Sequence, residues 1–254
     1  MIFDSHAHYD DEKFDKDRKE ILEEIFKEGA YNILNVSSDY QSIGKMLSLI
    51  NEYDFIYGAC GIHPHDVTEM TEETMNYIIE TASKEKVVAI GEIGLDYYYD
   101  YSPRDLQKKW FARQINEAKN LKIPVVIHDR DAHEDTLKIV KSENAKEVGG
   151  VFHCYSGRVE MVKTVLNNNF YISVGGTVTF KNARKIIEVV EYVPIEKILV
   201  ETDSPFLSPE PVRGRRNDSR NLRYIIQKIS EIKKMSFEET ASITDKNART
   251  LFGI

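Results

Sequence analysis

Short apolar, β-branched runs alternate along this chain with longer charged segments of helical periodicity, and that alternation restricts it to an α/β architecture with parallel strands. Met1 to Phe3, Tyr31 to Val36, Phe55 to Gly61, Val87 to Gly91, Pro124 to Ile127, Gly150 to Phe152, Phe170 to Val174 and Ile198 to Val200 read as eight strands. In the first gap, Ile21, Leu22, Ile25 and Phe26 stand at helix spacing, with Gly29 as a stop. Further helices are expected around Ser42 to Asn51, from Thr71 onward, over Pro103 to Leu121, and at Thr136 to Val140, Val159 to Leu166 and Ile186 to Val190. Two or three more should follow Leu222. Neither GxGxxG nor GxxxxGK[ST] follows an early strand, so an open nucleotide-cradling sheet loses its best support. A chain of 254 residues with 41% hydrophobic content and no composition shift suits one TIM (β/α)8 barrel over residues 1–254.

A barrel of this kind carries its chemistry at the C-terminal ends of its strands. Polar residues suited to catalysis fall there: His6 and His8 after strand one, His63 and His65 after strand three, Glu92 after strand four, His128 after strand five, His153 after strand six, and Glu201 and Asp203 after strand eight. Of the seven histidines, His133 alone stands elsewhere, at the start of a helix. Residues two apart on a strand project to one side, so His6 and His8 can offer imidazoles to a single point, an arrangement that suits a divalent metal. An HxH alone is weak evidence and reads equally as two solvated histidines; the downstream residues are what favour a metal. Glu92 lies among apolar residues, where an unpaired carboxylate is costly and a cation is its natural partner. A lone His128 after an apolar run would ordinarily be a satisfied core histidine, and Asp203 before Ser204-Pro205 could cap a turn. Cys154 follows His153 and should point to the opposite side, into packing.

Charge and cysteine usage narrow the partners. A net charge of −8 argues against nonspecific coating of nucleic acid, though not against a local basic patch. The two cysteines, Cys60 and Cys154, lie far apart and give no disulfide framework, which fits a reducing cytoplasm. No targeting segment, membrane span or obligate protein partner is expected.

The stretches Phe3-Asp4-Ser5-His6-Ala7-His8, Gly61-Ile62-His63-Pro64-His65, Ile90-Gly91-Glu92-Ile93-Gly94-Leu95-Asp96, Pro124-Val125-Val126-Ile127-His128, Phe152-His153-Cys154-Tyr155-Ser156-Gly157 and Glu201-Thr202-Asp203-Ser204-Pro205 resemble those of the TatD-family deoxyribonucleases. The resemblance implies a metal-dependent hydrolase barrel with His6, His8, Glu92, His128, His153 and Asp203 as ligands and Glu92 bridging two ions. It also implies 3′-to-5′ exonuclease activity on single-stranded DNA. Two divalent ions ~3.5–4 Å apart can activate water and stabilise both oxygens of an in-line displacement at phosphorus. Zn, Mn, Mg, Ni and Co all remain open for such a mixed donor set. Asp203 is expected to orient the water and accept its proton, with Glu92 as the other catalytic carboxylate and Glu201 fixing a ligating histidine from behind. His63 and His65 are expected to contact substrate. In Asp96-Tyr97-Tyr98-Tyr99-Asp100-Tyr101, Tyr98 could stack a base or belong to a packed lid. Arg213-Gly214-Arg215-Arg216-Asn217 resembles the family's basic loop, and Arg213 and Arg216 are expected to clamp phosphate; here Asp218 is followed by Ser219 rather than the usual proline. A second class is a metal-dependent hydrolase of an ester, amide or aminoacyl bond, since HxH also introduces the amidohydrolases. Many of those bridge their metals with a modified lysine, and Val87 to Asp96 contains none. A third is a binding protein of the same fold without chemistry.

Overall fold

The computed structural model describes residues 1–28 and 31–254, so the stop expected at Gly29 lies outside the described residues. Eight parallel strands stand side by side in chain order: β1 (Ile2–Ala7), β2 (Tyr31–Val36), β3 (Ile56–Cys60), β4 (Val87–Asp96), β5 (Val125–Arg130), β6 (Gly150–Phe152), β7 (Phe170–Val174) and β8 (Ile198–Val200). Between and after them run α1 (Arg18–Lys27), α2 (Tyr40–Glu52), α3 (Glu72–Ala82), α4 (Arg104–Leu121), α5 (His133–Ser142), α6 (Val159–Asn167), α7 (Arg184–Tyr192), α8 (Leu222–Lys233) and α9 (Phe237–Phe252). The seam is drawn together just beyond β8. Ala7 bridges Ser204, the Asp203 N–H donates to the His6 carbonyl at 2.9 Å, and the His8 N–H donates to the Ser204 carbonyl at 2.7 Å. The architecture is a TIM barrel, as the alternation requires.

Local chemistry explains where the elements begin. Asp39 caps α2 in a reciprocal box with Ser42, Thr71 accepts from the Thr74 N–H at 3.1 Å to open α3, and Ser236 with Glu239 opens α9. Strands buried on both faces read as continuous apolar runs, and every residue of β1 and β4 is buried. One apolar cluster fills the space between strands and helices. A second gathers Phe3, Leu34, Val88, Val126, Val151 and Leu199 near the strands' N-terminal ends, where Phe252 of α9 packs its ring 5.9 Å from that of Phe3. With that end filled, the opposite rim is left for polar side chains.

Three strands run further than the apolar runs suggest. β1 continues through His6, β5 through His128 to Arg130, and β4 to Asp96. After a register irregularity between Ile90 and Ile93, β4 and β5 stay paired through Gly94–His128, Leu95–Asp129 and Asp96–Arg130. The polar side chains there satisfy one another, so the ladder has no reason to end where hydrophobicity does. Among the described residues, no helix is long and apolar enough to cross a membrane.

Candidate metal centre

His6 and His8, projecting to one side of the β1 end, bring their Nε2 atoms within 3.1 Å of each other. The His8 Nδ1 lies 2.8 Å from the Val36 carbonyl, an acceptor only, so Nδ1 carries the proton and Nε2 offers its lone pair to the cluster. Glu92, from β4, faces both ways. Its Oε2 lies 3.3 Å from His6 Nε2 and 3.8 Å from His8 Nε2. Its Oε1 lies 2.8 Å from both His128 Nδ1 and His153 Nε2, and 3.5 Å from His63 Nε2. Asp203 completes the first group, with Oδ1 3.5 Å from His8 Nε2 and 3.9 Å from His6 Nε2. Its left-handed backbone, φ 56°, is one that aspartate tolerates better than most residues.

These separations suit shared cations. Four ligands at ~2.0–2.1 Å around a tetrahedral ion stand roughly 3.3 Å apart. His6, His8 and Asp203 form one group of that size, and His63, Glu92 and His128 form another. His6, His153 and Glu201 make a third, overlapping set. Among the described residues, the buried Nδ1 of His153 and Oε1 of Glu201 have no hydrogen-bond partner, although they face each other at 3.5 Å. Glu201 is itself fully buried and accepts a hydrogen bond from Ser173 Oγ through its other oxygen, which places it behind His153.

The electrostatics point the same way. Burial pushes Glu92 and Asp203 upward, yet imidazole charges around Glu92, and the His8 hydrogen bond with neighbouring imidazole charges at Asp203, outweigh it and hold both carboxyls below their ordinary values. Burial lowers His6 and His63, which favours the neutral imidazole that a metal needs. At His8, His128 and His153 the hydrogen bonds and charges of neighbouring carboxylates overcome burial and raise the ring, at His8 to about 9, so at these positions a cation would replace a proton. This pocket is arranged around positive charge.

Asp96, which the sequence reading passes over as a site residue, organises the β4–β5 side. Its Oδ2 lies 3.1 Å from His128 Nε2 and 2.9 Å from His65 Nε2, while Oδ1 accepts from the Tyr98 and Tyr99 N–H groups at 3.0 and 2.8 Å. By donating from Nε2 to Asp96, His128 presents Nδ1 to Glu92. The signal was available, because Asp96 stands four residues after Glu92 on the same strand and so shares its side. His65, expected against substrate, is held to Asp96; His63 is buried against Glu92 within the ligand group.

The other expected substrate contacts divide. A cleft of about 680 Å³ over the cluster is lined by His8, His63, His65, Tyr99, Arg130 and Phe206, among others. Tyr99 lines it; Tyr98 is not among its lining residues but lies with its ring 4.2 Å from the Arg130 guanidinium. Tyr97 is packed, its hydroxyl donating to Asp135 at 2.7 Å. A second cavity of about 420 Å³ adjoins His128 and His153, and half-buried Cys154 lines it rather than packing away from the site. Neither Arg213 nor Arg216 lines either cavity. The Arg216 guanidinium donates to both Asp17 oxygens at 2.7 and 2.6 Å and to the Lys13 carbonyl. Arg213 instead lies over the Phe180 ring at 3.9 Å.

Comparison with known proteins agrees with this geometry. Residues 3–253 match the family model described as TatD related DNase. Across the whole of both chains, the sequence is 48% identical to YabD, an uncharacterized metal-dependent hydrolase of Bacillus subtilis (strain 168). It is 32% identical to TatD of Shigella flexneri serotype 5b, a 3′-5′ ssDNA/RNA exonuclease, covering 100% of this chain and 99% of that one. The crystal structure of YJJV, a TatD homolog from Escherichia coli k12, superposes with a TM-score of 0.92 at 27% identity, covering 100% of this chain and 98% of the other. Because the family match spans nearly the entire barrel, including every strand end that contributes to the histidine and carboxylate cluster, the chain belongs to the TatD-related DNases and is a metal-dependent hydrolase.

Proposed function

We propose that this protein is a 3′-to-5′ exonuclease of single-stranded DNA that works with two divalent ions. The observation that carries the reading is the position of Glu92, whose two oxygens serve different histidine groups: Oε2 faces His6 and His8, and Oε1 faces His128 and His153. On this reading His6, His8 and Asp203 would hold one ion, His128 and His153 would hold the other, and Glu92 would reach both. Such ions supply Lewis acidity toward phosphoryl oxygens and make water acidic enough to ionise near neutral pH. The nitrogen-rich donor set favours Zn, Mn, Co or Ni over Mg, which prefers oxygen ligands. On the same reading Asp203 would orient the attacking water and take its proton, and Glu201 would fix the ring of His153. The proposed compartment is the cytoplasm, consistent with the two separate thiols.

The test uses purified protein loaded with each metal in turn and single-stranded DNA labelled at its 5′ end. The expected result is a ladder that shortens from the 3′ end. Glu92→Gln should lose tight occupancy at both metal positions and abolish the ladder; full metal content and activity in that variant would remove Glu92 from the bridging role. Ester and amide substrates tested alongside, and cleaved in place of DNA, would transfer the site to the other hydrolase class.

A further inference from the structure

Two cavities meet at the histidine cluster and share His128, His153, Asp203, Arg130 and Leu207. They differ in charge. Beyond the carboxylates tied to the histidines, the larger cleft is lined by Asp10, Asp11, Glu12, Asp39 and Asp66, with Lys45 as its only basic side chain apart from the shared Arg130. The smaller cavity has Arg130 and Lys185 against Asp129, whose Oδ2 already lies 2.8 Å from His133 Nδ1. Tyr155, Phe180 and Ile186 supply its apolar wall, and the Arg213 guanidinium lies over the Phe180 ring at 3.9 Å. The Arg130 guanidinium stands over the Tyr98 and Tyr99 rings, 4.2 and 4.7 Å from their centroids, and faces no carboxylate among the described residues.

The substrate of the exonuclease proposed above is equally asymmetric. Water adds to phosphorus, the bond from phosphorus to the 3′ oxygen of the penultimate nucleotide breaks, and that oxygen takes a proton. The terminal residue leaves as a 5′-mononucleotide, and the shortened strand again ends in a 3′-hydroxyl, the same terminus it began with. On the released side of the reacting phosphate there is thus one nucleoside with no further charge. On the other side there is one negative charge per nucleotide. Like charges in a partly desolvated cleft repel strongly, so the two halves cannot be exchanged freely between the cavities.

We propose that the terminal nucleoside sits in the larger, acidic cleft, while the strand runs out across the smaller cavity with Arg130 and Lys185 on its first phosphates. This assignment depends on the exonuclease reading and deepens it by giving the site a direction. Tyr99 and Phe206 both line the larger cleft and supply apolar surface beside the terminal base. The five surrounding carboxylates select for a terminus that carries no phosphate. The acidic cleft therefore acts as an end gauge, accepting a 3′-hydroxyl and repelling an internal stretch of strand.

The test compares metal-loaded wild type on two oligonucleotides of one sequence, ending in 3′-hydroxyl and in 3′-phosphate. The 3′-phosphate substrate should be degraded at least about tenfold more slowly, because its extra charge enters the acidic side. Joint replacement Glu12→Gln and Asp66→Asn should narrow that gap. Lys185→Ala should raise KM for a tetranucleotide more than for a dinucleoside monophosphate, which has no phosphate beyond the reacting one. In equilibrium binding measured by anisotropy, it should flatten the salt dependence by ~0.7 per lost contact. Equal rates on both termini, or a Lys185→Ala effect independent of substrate length, would overturn the assignment while leaving the exonuclease intact. If wild type degrades neither oligonucleotide, the exonuclease reading fails and this inference falls with it.

Discussion

On the two-ion reading, replacing Asp96 by asparagine should cost the protein one of the two proposed metal positions rather than both. The side chain keeps its shape, and its remaining oxygen can still accept from the Tyr98 and Tyr99 N–H groups. What changes is the edge toward the imidazoles. Asp96 Oδ2 is an acceptor 3.1 Å from His128 Nε2 and 2.9 Å from His65 Nε2; an amide nitrogen there would be a donor. To meet it, His128 must give up the proton on Nε2 and carry it on Nδ1, the atom now 2.8 Å from Glu92 Oε1. A protonated Nδ1 cannot ligate. Losing such an orienting partner typically weakens metal binding about 10–100-fold, equivalent to roughly 1.4–2.7 kcal/mol. Among the described residues, no hydrogen bond or ion pair joins Asp96 to His6, His8 or Asp203, so their position should keep its affinity. A competition titration against a chromophoric chelator, with stoichiometry from elemental analysis and folding checked by thermal unfolding, separates the two positions. Unchanged affinity at both in a folded variant would refute the tautomer argument, and equal loss at both would show that Asp96 acts on the whole pocket.

Arg216→Ala should destabilise the fold by about 0–1 kcal/mol, the range for a partly exposed ion pair, and leave the salt slope of oligonucleotide binding unchanged; a flatter slope would return Arg216 to the substrate. Tyr99→Ala should weaken single-strand affinity by ~1–3 kcal/mol in anisotropy titrations, and Tyr98→Ala by less, because Tyr99 lines the cleft. The hydrogen bond with Asp129 raises His133 above its ordinary value despite partial burial. Its contribution is therefore full below the unfolded-state value and is lost as pH rises through the folded one. The melting difference between wild type and His133→Gln should accordingly shrink from about pH 5 to about pH 9, and a difference that grows over that range would contradict the pairing.

What could be seen in the sequence, and what could not, follows from which interactions are local. Val125-Val126-Ile127 is apolar throughout because a barrel strand is covered on both faces, and His128 is conspicuous because it breaks that run. The same contrast exposes His6, Glu92, His153 and Asp203. The length of β4 was hidden, since the apolar run pauses at Gly91 and Glu92, while the pairing with β5 that keeps it extended is not encoded locally. Asp96 required knowing that the strand continued, and only then does its side become defined. Arg216 shows the limit most clearly. A basic loop is visible as composition, but its partner Asp17 is 199 residues away, and nothing near Arg216 announces it. Arg130, two residues after His128, carries no local sign that it stands at the junction of two cavities.

The seam beside β1 has a consequence for the order of events during synthesis. Asp4 in β1 accepts from the Thr202 N–H and hydroxyl, a separation of 198 residues, and from the Ser219 hydroxyl further on; His8 and Asp203 meet across the same join. Contacts of such sequence separation form late, because nearly the whole polypeptide must be made and the intervening strands docked before the ends can meet. A nascent chain that has emerged only through β7 holds His6 and His8 but not Asp203. Its hydrolytic centre is incomplete while it is still attached to the ribosome, in the company of the nucleic acids that make it. The barrel's last join is thus also the step that completes the centre.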